Sequence, residues 1–496
     1  MDPLRSPAQD PVADAATRFG PLPMLLTPEG SRSFRECSDI AGRIAAALLK
    51  RGIREGQRVA IISPNTPEMV IILLALLRRG MVAAPLNYRL PEARLRQMLQ
   101  DLQPVICITG PGCLPPDTDT AAIDSLELLA EASALIPERR NAMLNDDDMT
   151  GRPVTIIHTS ASTGRAKAVV HSLKNHWYNA LGSNSNLPFE PGDTWLLSLP
   201  LFHVGGYALI FRSLASGGSI AIDRPGASIT DSLERFPISH LSLVPTQLYR
   251  LLYPKNGVEL TAGIKAVLLG GSASSDRLVD EAAAAGLPIY LSYGSTEMAS
   301  QIATTDAPVT GHRADSGRVL QWREVCEAPD GELLVRGKCL CTGYLRNGAI
   351  DPVGEPDGWF HTGDIGSLAA DGTVRVLGRK DGMFISGGEN IHPEEVERAL
   401  TEIRGVLEAV VAPVRDPEYG ERPAAFIRTA GGNTPDDETL RREMHQRVGR
   451  LKTPVVFFRV CQWATLPGSE KTDRAWYRLM AAEYRGKDTN GGLPCA

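Results

Sequence analysis

A chain of 496 residues is too long for one ordinary hydrophobic core and is the right size for two or three domains. Hydrophobic residues at 43% and charged residues at 22% are the balance of a folded globular protein and exclude general disorder. A formal net charge of −6 excludes a general attraction to nucleic acid or an anionic membrane, while leaving room for local basic sites that hold phosphate.

In chain order, Met1-Asp2-Pro3-Leu4-Arg5 lacks the apolar core of a signal peptide. Apolar residues at Cys37, Ile40, Ala41, Ile44, Ala45 and Leu48 then recur with helical spacing, and Gly52 is placed to stop that helix. Val59 to Ile62 reads as a buried strand, followed by an apolar helix from about Glu68 to Arg79. The longest apolar run, Met69 to Leu77, falls far short of the roughly 20 residues needed to cross a bilayer. No membrane insertion and a cytoplasmic location are expected, and homo-oligomer formation stays open. The eight cysteines are scattered; only Cys339 and Cys341 lie close, with no second pair to complete a zinc site, so reduced thiols are expected.

Short β-rich runs recur between helical stretches at Val105 to Thr109, Thr194 to Leu199, Ser219 to Ile222, Ala266 to Leu269 and Ile289 to Leu291. Strands alternating with helices predict largely parallel sheets covered on both faces. After about residue 320 the texture changes to short strands joined by Asp/Gly turns, at Glu332 to Arg336 and Thr373 to Leu377. Beyond Gly378 comes an α+β stretch, with a helix from Pro393 to Leu400, a strand at Ala409 to Val411 and a helix from about Asp437 to Val448. The expected fold class is α/β, with a large multi-sheet N-terminal domain over 1–379 and a small α+β C-terminal domain over 380–496. A frayed tail is expected from Lys487 to Gly492.

Five segments carry chemistry. Thr159-Ser160-Ala161-Ser162-Thr163-Gly164-Arg165-Ala166-Lys167 follows the apolar strand Val154 to Ile157 and offers hydroxyl and backbone donors plus one cation, which suits phosphate. It fails the G-x-x-x-x-G-K-[ST] pattern, and taken alone it is equally a polar surface loop. Pro200-Leu201-Phe202-His203-Val204-Gly205-Gly206 sets a histidine after an apolar run, where a structural histidine is as ordinary as a functional one. Ser292-Tyr293-Gly294-Ser295-Thr296-Glu297 follows a buried strand, where open α/β sheets bind ligands, and its oxygens suit Mg²⁺ on phosphates. Asp364 in Trp359-Phe360-His361-Thr362-Gly363-Asp364 is a carboxylate suited to a ribose diol, and charge mixes with glycine from Gly378 through Glu397.

In this order and spacing the segments resemble the AMP-binding acyl- and aryl-CoA synthetases of the adenylate-forming superfamily, from about Leu25 to Arg474. That resemblance implies an ATP- and acyl-binding N-terminal domain under a mobile C-terminal lid, with ATP and coenzyme A as co-substrates and Mg²⁺ as cofactor. It implies that Thr159, Ser160, Ser162, Thr163, Gly164 and Lys167 cradle the β- and γ-phosphates. Gly270, Gly271, Ser272 and Ala273 with Ser292, Tyr293 and Gly294 would wall the adenine. Thr296 would meet the α-phosphate, Glu297 would bind the metal, and Asp364 with Arg379 would grip the ribose. Asp381 matches the hinge, and Lys471 matches the lid lysine that bridges the acyl carboxylate and the α-phosphate. Thr296, Glu297, His203 and Lys471 form the expected catalytic set.

Two positions depart from the family pattern, Ala161 and Ala168, where glycine is usual, and Glu470 replaces a small residue. If the loop needs positive φ there, each alanine costs about 1 kcal/mol. Within the family, Asn175 to Ala180 with Gly182 and Ser183, Ser242 to Leu248, and Ser295 to Gln301 resemble the o-succinylbenzoate–CoA ligases of menaquinone biosynthesis. That acid is a dianion, so a cation must answer its second carboxylate; Arg212 is the first candidate and Arg89 the second, and either is equally a solvated or paired arginine. His203, Gly270 and Ser300 would complete the acyl pocket. Other aryl- or acyl-CoA synthetases, a module loading a carrier protein and a non-catalytic nucleotide binder are the competing expectations.

Overall fold

The computed structural model describes residues 8–137, 151–159, 166–253, 263–272, 274, 276–311, 313, 315–429, 435–466 and 472–483. The predicted early elements form as Phe34–Lys50, Arg58–Ile62 and Pro67–Arg78. Phe34–Lys50 starts at a reciprocal Ser33/Glu36 cap, which satisfies two otherwise orphaned backbone donors. Every residue from Met69 to Arg78 is buried, which explains a helix apolar on all sides: it lies inside the domain.

An eight-stranded sheet has a parallel centre of Ile106–Thr109, Arg58–Ile62, Val82–Leu86 and Pro153–His158. Pro153–His158 then pairs antiparallel with Ala168–Ser172, so the chain reverses at the phosphate-loop motif. A nine-stranded sheet runs parallel through Thr194–Leu196, His240–Leu243, Ala266–Leu269 and Ile289–Ser295. Ile289–Ser295 continues past its predicted end at Leu291 because it also pairs antiparallel with Ser300–Thr304. Thr194–Leu196 stops short of Leu199, since the chain leaves the sheet before the Pro200–His203 turn. The two sheets share one apolar core that includes Ile61, Val70, Leu74, Trp177 and Phe211.

The change of texture after residue 320 is a four-stranded antiparallel sheet containing Glu332–Gly337, Phe360–Leu368 and Val374–Arg379. Beyond it, Val406–Asp416 and Gly420–Thr429 form a long antiparallel hairpin packed by Pro393–Thr401 and Arg474–Glu483. That portion has its own core of Val396, Leu400, Val411, Ile427, Leu440 and Met444. Among the described residues no helix is long and apolar enough to cross a membrane.

Candidate active site

The strand reversal at 158–168 makes the neck of the phosphate loop. Thr159 N donates to Lys167 O at 2.9 Å and Lys167 N donates to Thr159 Oγ1 at 3.0 Å, so the loop is closed by a reciprocal pair. Ser160, Ala161, Ser162, Thr163, Gly164 and Arg165 lie outside the described residues, as do Ala273, Glu470 and Lys471. Ala168 is paired within its strand and is not among the residues at positive φ, so the expected alanine penalty does not arise there.

Strand Ile289–Ser295 delivers Tyr293, Gly294, Thr296 and Glu297 to the mouth of the nine-stranded sheet. Tyr293 is buried, and its hydroxyl donates to Asp364 Oδ2 at 2.7 Å. Asp364 stands opposite Arg379 on the neighbouring strand, and Arg379 Nη1 donates to Asp364 Oδ1 at 3.0 Å and to Thr362 O at 2.8 Å. Burial holds the Asp364 carboxyl above its ordinary range, while the Tyr293 hydroxyl and the Arg379 charge pull the other way. Burial also raises the Tyr293 phenol well above its ordinary value, so it stays a donor. Gly271 adopts φ +85°, a left-handed turn that suits glycine, beside Val244.

Glu297 has one carboxylate oxygen engaged: Tyr344 Oη donates to Oε1 at 2.9 Å. Lys167 Nζ lies 5.1 Å from the centre of the same Tyr344 ring, so one aromatic residue connects the loop lysine to the acidic residue. Sequence reasoning missed Tyr344, which reaches this place from a strand 47 positions further on and left only the pair Gly343-Tyr344 as a signal. Glu297 lines the cleft, and its second carboxylate oxygen is a hard oxygen donor of the kind that fits Mg²⁺ also bound by phosphate oxygens; among the described residues no protein cluster would hold a metal alone.

Thr159, Lys167, Gly271, Ser272, Gly294, Thr296, Glu297, Asp364, Arg379 and Asp381 all line one cleft of about 530 Å³. The C-terminal portion closes its far side with Glu394, Arg398, Glu408 and Val410. Leu466 and Thr472, the described residues flanking Lys471, are also on that wall. His203, Gly270, Ser292, Tyr293 and Ser300 are not among the residues that line this cleft. His203 caps helix Val204–Ser216, in contact with the Phe202 ring at 4.8 Å. It follows a tight turn in which a Cβ at Gly206 would meet Pro200 O at 2.3 Å.

Arg212, nine positions on, is only 3% exposed and is not the solvated arginine that the sequence allowed. Its guanidinium donates to the Gln301 side chain and lies 4.7 Å over the Trp195 ring. No carboxylate pairs with it among the described residues. Burial, then the Arg323 charge, lowers its pKa to about 9, which leaves it cationic at neutral pH. Arg89 is exposed, donates to Tyr88 Oη and lines a different cavity.

A buried carboxylate paired with an arginine, a second acidic side chain and the closed neck of a polar loop surround one cleft, an arrangement that suits a nucleotide and a carboxylic acid. The chain belongs to the AMP-binding enzyme family: the family model matches residues 10–345, and the model of the AMP-binding enzyme C-terminal domain matches 395–469. It is an adenylate-forming acid–thiol ligase. It is 34% identical to the 2-succinylbenzoate–CoA ligase of Salmonella typhimurium over 90% of this chain and 91% of that one. The Escherichia coli enzyme of the same name is also 34% identical, over 88% and 89%. Among solved structures it is similar to the Bacillus subtilis o-succinylbenzoate CoA synthetase with its acyl-adenylate intermediate, at TM-score 0.83 and 28% identity over 98% of this chain and 99% of that one. The same enzyme with ATP and magnesium matches at TM-score 0.82 and 28% identity, over 94% and 98%.

Proposed function

We propose that this chain joins o-succinylbenzoate to coenzyme A through an acyl-adenylate, releasing AMP and pyrophosphate. The observation that carries the substrate is Arg212, a buried cation with no carboxylate partner among the described residues. A buried charge is costly unless an anion answers it, and the second carboxylate of a dianionic acid is such an answer. The three segments that bear the finer resemblance meet here. Gln301 accepts from the guanidinium, Asn179 Nδ2 donates to Gln301 O at 3.2 Å, and Trp195 under the guanidinium donates to Ser242 Oγ at 3.1 Å.

In this reading the substrate carboxylate attacks the α-phosphorus, and two anions must be brought together. Lys167, the loop donors and Lys471 offset the repulsion, a kind of stabilisation worth several kcal/mol. Mg²⁺, held by Glu297, would supply further charge neutralisation on the phosphates. Asp364 keeps lone pairs for the ribose hydroxyls because Tyr293 and Arg379 approach from the protein side. The coenzyme is matched by the second cavity, about 440 Å³, where Arg89, Arg224 and Arg250 suit its phosphates and Phe202 leads toward His203.

We place the hinge at Asp381 and the domain boundary between Arg379 and Lys380. In support, strand Val374–Arg379 ends there and a short 3₁₀ turn, Lys380–Gly382, follows. Asp381 is tied to both sides, accepting from Arg379 Nε at 3.1 Å and, through its carbonyl, from Arg478 at 3.2 Å. The test is a coupled assay with ATP, coenzyme A and o-succinylbenzoate beside benzoate, 4-coumarate and octanoate. Preference for a monocarboxylate overturns the substrate; acyl transfer to a carrier protein alone overturns the thiol.

A further inference from the structure

The turn that carries Thr296 and Glu297 is strained. Ala299 has φ +55° and Ser300 has φ +124°, two consecutive side-chain-bearing residues in the half of conformational space that favours glycine. The turn also folds back so tightly that a Cβ at Gly294 would lie 2.1 Å from Ser300 O. Strain of this kind persists only where the surroundings over-determine the backbone. Two fully buried side chains do so from outside the turn. Asn179 Nδ2 donates to Met298 O at 2.9 Å and Gln301 O at 3.2 Å, gripping both sides of the strained pair. An amide that faces two carbonyls must present its nitrogen, so its orientation is fixed. His171 Nε2 contacts Thr296 O at 2.7 Å, which requires a proton on that nitrogen.

We infer that Asn179 and His171 are positioning residues for adenylation: together they clamp the 296–301 turn and so aim Thr296 and Glu297 at the nucleotide. The inference rests on the proposed roles of those two residues. The clamp has a further consequence at Gln301, whose backbone Asn179 holds and whose side chain takes the Arg212 guanidinium. One clamp therefore sets the nucleotide side and the acid side in the same register. The helix segment that does this, Asn175 to Ser183, is buried at every residue, polar ones included.

The test uses the full chain with Asn179→Ala, His171→Leu, His171→Gln and Ala299→Gly. Two half-reactions are followed: acid-dependent pyrophosphate release at varied Mg·ATP, and thioester formation from supplied acyl-adenylate. Asn179→Ala and His171→Leu should lower kcat/KM for Mg·ATP by about tenfold or more, with thioester formation falling less than about threefold. Glycine accepts the left-handed backbone, so Ala299→Gly in the Asn179→Ala chain should recover at least about threefold, and His171→Gln, which keeps a donor, should exceed His171→Leu. Equal losses in both half-reactions, or effects that merely multiply in the double variant, overturn the clamp. If Asn179→Ala does not fold, the rescue is read as recovery of folded protein by Ala299→Gly, and no recovery overturns it. Glu297→Gln separates the two ideas: an unchanged KM for Mg·ATP sinks the nucleotide reading, while coupling in Tm between Asn179→Ala and Ala299→Gly still scores the clamp.

Discussion

Asp364 and Arg379 face each other across adjacent antiparallel strands, and the hydroxyl of Tyr293 closes on the oxygen that the arginine leaves. The triad joins two sheets, because Tyr293 comes from the nine-stranded sheet and its partners from the small antiparallel one. Asp364→Ala should raise KM for ATP by roughly 10- to 100-fold, the range expected for losing a charge-assisted hydrogen bond of about 1.5–3 kcal/mol. Tyr293→Phe should cost less, since it removes only the orienting donor. Steady-state kinetics at saturating acid measure both, and unchanged ATP dependence in Asp364→Ala counts against the ribose assignment.

Lys471→Ala should abolish most adenylate formation and leave thioester formation from supplied acyl-adenylate nearly intact. In the proposed mechanism the lysine acts on charge at phosphorus, and the lid carries it away before the thiol attacks. Its flanking residues Leu466 and Thr472 are on the cleft wall, which is where an adenylating lysine has to arrive. Rapid-quench measurement of each half-reaction decides, and parallel loss in both rejects the role.

The parallel strands were legible because a strand covered on both faces is a plain apolar run: Ala266–Leu269 is observed with its predicted bounds. The antiparallel return Ser300–Thr304 was not, because its polar Ser300 and Gln301 mimic a loop. That Thr159, Lys167, Thr296, Glu297 and Asp364 would gather was legible as motifs, since they sit in short segments of the sequence, and they line one cleft. What supports them was not. His171, Asn175, His176 and Asn179 are buried polar groups that each bond a distant carbonyl or hydroxyl, and sequence carries no record of such partners. Arg212 shows the same limit: nothing local distinguishes it from a solvated arginine until Trp195 and Gln301 close around it.

The buried imidazoles make the fold acid-labile in a defined window. Burial lowers the His171 pKa from 6.5 to about 4 and pushes His176, tilted against it at 4.8 Å between ring centres, well below its ordinary value. Below pH 6.5 the unfolded chain takes up protons that the folded imidazoles refuse, so stability is full above 6.5 and is lost as pH falls toward 4. Each such histidine contributes a slope of up to about 1.4 kcal/mol per pH unit in that interval. Denaturant unfolding from pH 7.5 to 4.5 should show this decline, and His171→Gln should flatten it. A slope identical in the variant would mean that other groups carry the transition.

The sharpest discrimination lies in Arg212→Ala. If the guanidinium answers the second carboxylate of o-succinylbenzoate, its removal leaves a desolvated anion, which costs about 3–5 kcal/mol for a buried pair against about 0–1 for an exposed one. At 3% exposure the buried figure applies, so KM for the dianion should rise by more than about 100-fold. ATP affinity should hold, because Arg212 reaches the strand of Tyr293 through a relay of three side chains, Gln301, Thr304 and Ser292. An aryl acid lacking the second carboxylate is the control, and its slow turnover should be indifferent to the exchange. Equal damage to both acids would make the arginine structural, a support for Gln301 and Trp195. Indifference of both would move recognition of the dianion elsewhere. Only selective loss of the dianion, with ATP dependence preserved, joins the buried cation to the choice of acid.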